Sequence, residues 1–146
     1  MGKIAHYLAA IFALNLVWES LQLPLYTIWT NAPVADIAWA VIHCTVGDLL
    51  IGGAALTLGW LVAGRPRLTP AVPFSLVTVA ILTGIALTIV SEWLATQITR
   101  AWEYSPLMPI IPGIRVGLSP LLQWSILPPI AMRLVFGWLG GSTREP

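Results

Sequence analysis

Asn15, Glu19, Gln22 and Tyr26 follow one another at spacings of four, three and four residues. At about 100° per residue these spacings place all four on one narrow helical stripe, roughly 16 Å long at ~1.5 Å per residue. A stripe of this kind cannot face lipid tails cheaply. Its amides suit hydrogen bonding between helices, whereas an ionisable group at membrane depth is a functional candidate by default. Two more acids sit in apolar stretches: Asp48, within His43-Cys44-Thr45-Val46-Gly47-Asp48, and Glu92, within Ser91-Glu92-Trp93. Gln123 follows Ser119 by four residues in another. Carboxyl groups crowded in a medium of low dielectric cannot all ionise, so at least one is expected to keep a proton at neutral pH. Glu19, Asp48 and Glu92 are therefore the candidate catalytic groups, able to protonate a substrate, relay protons or hold a cation.

The residues expected to line a ligand pocket with them are Asn15, Trp18, Gln22, Tyr26, His43, Trp93, Trp102, Glu103, Tyr104, Arg115, Gln123 and Trp124. His43 and Asp48 are five residues apart and so about 140° around a helix, which makes them a poor metal pair. His43 is instead expected to hydrogen bond to a carboxylate or a backbone carbonyl. No metal and no cofactor are expected. His6 and His43 fall in opposite leaflets, so they cannot both ligate one haem. Glu-x-x-His pairs for a di-metal site do not occur. A Gly-x-Ser-x-Gly elbow is lacking, as is a phosphate-binding glycine loop. Cys44 is the only cysteine, which excludes an intrachain disulfide. Gly47-Asp48 matches part of the motifs of intramembrane aspartyl proteases, but no second matching aspartate accompanies it.

Asn15-Leu16-Val17-Trp18-Glu19 resembles a segment of the small membrane-bound terpene cyclases of fungal pathways. The resemblance covers those few residues and implies carboxyl-driven chemistry on a lipid-soluble substrate. Cyclisation or isomerisation of an isoprenoid- or sterol-like molecule needs only carboxyl groups of suitable acidity and aromatic walls that stabilise cations. Two other readings use the same residues. One is a proton-coupled binder or carrier of a small molecule, which with so few helices needs a homodimer or a partner. The other is an accessory or assembly subunit of a larger membrane complex, with the Asn15–Tyr26 stripe on its outer surface.

The elements that must position these groups are membrane helices. The chain is 146 residues long, 58% hydrophobic and only 9% charged, whereas soluble domains are near a quarter charged. A net charge of +1 provides no basic surface for nucleic acid. Its partners are expected to be membrane lipids and a lipophilic small molecule. Four stretches approach the ~20 apolar residues that cross a bilayer: about 4–29, 37–63, 71–98 and 117–138. The expected fold is an all-α integral membrane protein with one domain over residues 1–146. It is a four-transmembrane-helix bundle of antiparallel up-down hairpins, with an interfacial, Pro- and aromatic-rich segment before the last helix. No cleavage site follows Met1-Gly2-Lys3 and its long apolar stretch, so the first helix is expected to remain. Lys3, Arg65, Arg67, Arg133 and Arg144 fall on one side, and Arg100 and Arg115 on the other. The positive-inside rule then puts both termini in the cytoplasm, with the cell (inner) membrane as the location. The outer half would hold Glu19, Asp36, Asp48, Glu92 and Glu103, together with most of the tryptophans, leaving Glu145 inside.

Overall fold

The computed structural model describes residues 2–68 and 71–139, so Arg144 and Glu145 lie outside the described residues. Helix α1 (Lys3–Gln22) starts after an extended Gly2. It ends where Pro24 lacks the N–H needed to continue the ladder. A 3₁₀ turn at Leu23–Leu25, a single bridge at Tyr26 and the one-turn helix α2 (Ile28–Asn31) follow. The expected helix over 4–29 is thus interrupted at the proline, and its last residues become part of a connection.

Helix α3 (Val34–Val62) follows an extended Pro33, with Asp36 favourably placed in its first turn. Its 29 residues extend about 44 Å at ~1.5 Å per residue, longer than a hydrocarbon core. It stops where Gly64 and Arg65 take positive φ, +79° and +59°, with the Arg65 amide donating to Trp60 O at 2.8 Å. Strand β1 (Ala71–Val72) precedes α4 (Phe74–Trp93). The third helix therefore begins three residues after its expected start. At its far end α4 widens into a π-helical turn, Leu94–Ile98, a local feature often found at functional sites. Arg100, at φ +52°, turns the chain away.

The expected interfacial segment contains a small hairpin, β2 (Ile110–Ile111) with β3 (Val116–Gly117), which leads directly into α5 (Leu118–Phe136). It is also tied to the chain after α1. Tyr26 bridges Tyr104, the Thr27 amide donates to Glu103 O at 3.0 Å and the Ser105 amide to Leu25 O at 2.9 Å. Two connections distant in sequence thereby form one cover over this end of the helices. At the opposite end β4 (Trp138–Leu139) pairs in parallel with β1.

Helix α1 packs on α3 and α5, and α4 packs on the same two. The apolar core lies toward the Lys3 end, where Tyr7 stacks on Phe136 and is joined by Ile11, Leu56, Leu76, Ala80 and Met132. Small residues set the approach. A Cβ on Gly59 would stand 2.8 Å from Leu76 O, and one on Gly84 would overlap the Trp124 indole. Many large apolar side chains point outward, Val34 at 82% and Leu21 at 75% exposure among them, as a lipid solvent allows. Among the described residues, three helices are long and apolar enough to cross a membrane: Lys3–Leu25, Val34–Val62 and Phe74–Ile98. Helix α5 is not among them. It carries Gln123, Arg133 and three prolines, which lower its hydropathy.

Candidate functional site

The predicted stripe on α1 is turned inward. Asn15, Glu19 and Gln22 are buried, because each follows the last by about one turn and α3 and α5 close over that face. Tyr26 lies beyond the end of α1 and is buried where it bridges Tyr104. Gln123 of α5 reaches across to it. Its single Nε2 donates toward Asn15 Oδ1 at 2.6 Å, Asp48 Oδ2 at 2.8 Å and Glu19 Oε1 at 3.2 Å. Gln22 Nε2 also donates to Glu19 Oε1, at 2.7 Å. Ser119 Oγ donates to Gln22 Oε1 at 2.8 Å and accepts from Trp18 Nε1 at 3.3 Å. One amide nitrogen thus joins α1, α3 and α5, and acceptors outnumber donors around it. Two N–H bonds cannot fully serve three acceptors, two of them carboxylate oxygens.

Glu92 is held separately on α4. Its Oε2 accepts from the Tyr104 hydroxyl and, at 3.5 Å, from the Tyr26 hydroxyl. Tyr104 in turn accepts the Gly117 amide at 3.0 Å, at the entry to α5. Burial, together with the adjacent Glu92 carboxylate, pushes the Tyr104 phenol above its ordinary range. It therefore remains a donor throughout the neutral region. The bridged cover over this end is what places both tyrosines on one oxygen.

A cavity of about 200 Å³ lies between the two carboxylate groups. Glu19, Asp48 and Glu92 all line it, as do Gln22, Tyr26, His43, Trp102, Gln123 and Trp124, and among the described residues no Lys or Arg does. Among the described residues, two buried donors of lining residues have no partner: Thr88 Oγ1 and Trp124 Nε1. Buried polar groups are rarely left unmatched, so a ligand with acceptor atoms has two donors available. The lining residues His43 and Ser91 are exposed, which opens the cavity between α3 and α4.

Other expected members lie elsewhere. Asn15 stands behind Gln123, Trp18 touches Ser119, and Tyr104 supports Glu92 from the cover. Trp93 is 45% exposed and faces away from the cavity wall. Its neighbour Glu92 faces inward, and one residue on is about 100° round the helix. Glu103 is exposed and contributes its backbone oxygen. Arg115 occupies the exposed hairpin turn at φ +58°. Among the described residues no hydrogen-bond partner meets His43; it sits at the exposed mouth of the cavity and packs on Trp39 with ring centroids 5.9 Å apart. Residues not singled out as site members include Cys44, Ile51, Thr88 and Ser119. The first three line the cavity, and Ser119 bonds Gln22. Their signal was helical spacing: Cys44 and Ile51 flank Asp48 at i−4 and i+3, and Thr88 precedes Glu92 by four. Among the described residues, no three His, Cys, Asp or Glu side chains converge as a metal-binding set.

The chain matches no family model, no curated protein and no solved structure at a significant level.

Proposed function

We propose that the cavity takes up a lipophilic small molecule from the bilayer and isomerises or cyclises it by carboxyl acid–base chemistry. On this reading the chain is a four-helix transmembrane bundle, with α5 as the fourth crossing. The cavity end is the outer half and the termini are cytoplasmic. One observation carries the reading: carboxylates from three helices line a single cavity whose described lining includes no Lys or Arg. The excess of acceptors around Gln123 supports a division of labour. A proton held between Glu19 and Asp48 relieves that excess, making the pair the acid. Glu92, accepting from two phenols, is suited to remain a carboxylate.

The pair would transfer its proton to a carbon–carbon double bond of the substrate, leaving a carbocation. The cation would rearrange or close a ring against Trp102, Trp124 and the Glu92 charge. Glu92 would then take a proton from a neighbouring carbon, forming the product double bond. One proton is gained and one is lost, so no redox partner or cofactor enters the balance. The inward-facing Asn15–Tyr26 stripe weighs against the accessory-subunit reading, which needs those residues on the surface.

Gly47 offers a direct test. It lines the cavity, and a Cβ there would meet nothing within 4 Å, so Gly47→Leu fills the space without disturbing the packing. Native mass spectrometry of gently purified protein should find a lipophile retained by the wild type and missing from Gly47→Leu. In deuterated water the released product should gain one deuterium per turnover, and Glu19→Gln or Asp48→Asn should abolish this while accumulation is maintained. A ligand released unchanged would instead make the protein a carrier. Identical lipophile content in wild type and Gly47→Leu would refute the pocket altogether.

A further inference from the structure

At the end remote from the acids, a second hollow of about 290 Å³ opens between α1 and α3. Its walls are apolar: Ile4 and Leu8 from α1, Gly53, Leu56 and Trp60 from α3, and Leu68 from the connection that follows. Among the described lining residues the one hydroxyl, Thr57, is already committed to Gly53 O of its own helix at 2.8 Å. No acidic side chain lines it among the described residues. Gly53 keeps the hollow open, since a Cβ there would only reach ordinary contact with Leu8, at 3.8 Å.

Positive charge gathers at one rim. Lys3 precedes Ile4 and Arg67 precedes Leu68, and both are exposed. The Arg65 guanidinium lies 5.7 Å over the Trp60 ring. Trp60 Nε1 donates to Pro66 O at 3.2 Å, which pins the Arg65–Arg67 turn against the hollow. An apolar slot with cationic groups at one end complements an amphiphile that is anionic at one end. We infer that this hollow seats an acyl chain of an anionic phospholipid, with the headgroup phosphate held by Lys3, Arg65 and Arg67. The site shares no lining residue with the acidic cavity, so it stands or falls independently of the proposed chemistry.

The test uses the full-length protein in neutral detergent, titrated with phosphatidylglycerol or with phosphatidylcholine of the same chains and followed by native mass spectrometry. The wild type should hold one phosphatidylglycerol under activation that strips phosphatidylcholine. Each basic residue near a headgroup contributes roughly a fivefold gain in affinity, so the triple variant Lys3→Gln/Arg65→Gln/Arg67→Gln should lose on the order of 100-fold. Gly53→Leu keeps every charge but fills the slot, and should lose the bound lipid as well. Should that variant accumulate poorly, Thr57→Phe on the exposed wall serves the same purpose. Equal retention of the two lipids would overturn the inference. So would phosphatidylglycerol binding that survives slot filling, because the headgroup would then be attracted without a seated chain.

Discussion

Replacing Gln123 with Met removes one amide while roughly keeping its volume, so packing is changed little. The loss is electrostatic: Asn15 Oδ1, Glu19 Oε1 and Asp48 Oδ2 each lose the donor that reaches them. In a water-soluble core an unmatched buried acceptor costs about 1–3 kcal/mol, which would put the total at several kcal/mol. Between membrane helices the measured average is nearer 0.6 kcal/mol per bond, because the separated helices also find partners. On the membrane reading the second scale applies, Gln123 has two N–H bonds to lose, and Gln22 still serves Glu19. The expected destabilisation is therefore about 1 kcal/mol. Reversible unfolding in mixed micelles reads it, and a double-mutant cycle with Asp48→Leu isolates one bond. That cycle should return a coupling of about 0.6 kcal/mol, with ~1.7 kcal/mol as the upper end for such pairs. Additivity within experimental error, or a Gln123→Met cost indistinguishable from zero, would show that Gln123 does not link the three helices.

Gly84→Leu should destabilise the protein by about 1–3 kcal/mol in the same assay, since its side chain must displace the Trp124 indole; a neutral outcome would contradict the close approach of α4 and α5. Tyr104→Phe should cost about 1 kcal/mol and also change the alkaline limb of the stability profile. The folded phenol is held above its ordinary value of 10.0, so as pH rises past that value the unfolded chain loses the proton first and stability falls. The variant lacks this term and should show a shallower decline, measured by unfolding between pH 9 and 11; parallel slopes would refute the assignment. Trp93→Leu and Arg115→Gln, both directed away from the cavity, should leave lipophile retention unchanged, and a loss in either would mean that the ligand extends beyond the described walls.

How the site divides between sequence and structure follows from the range of each interaction. Composition alone points to a lipid solvent, since a chain 9% charged has little with which to cover a globule in water. Helical periodicity alone places Asn15, Glu19 and Gln22 on one face, and it places Thr88 with Glu92 and Cys44 with Asp48, because positions on one helix are related by a fixed rotation. Tyr26 lies past the break at Pro24 and owes its place to the bridge with Tyr104. Local rules of the same kind explain the end of α1 near Pro24. The partner of each group is another matter. Gln123 meets Asn15 across 108 residues and Asp48 across 75, and Tyr26 meets Glu92 across 66. Such pairings depend on the rotation of each helix about its axis and on how closely glycines let the axes approach. They also depend on the bridge that draws Tyr104 beneath the end of α1. The acids of the site could be read from the chain. Their grouping, Glu19 with Asp48 around one amide and Glu92 beneath two phenols, was decided by the packing of helices whose contacts no local spacing encodes.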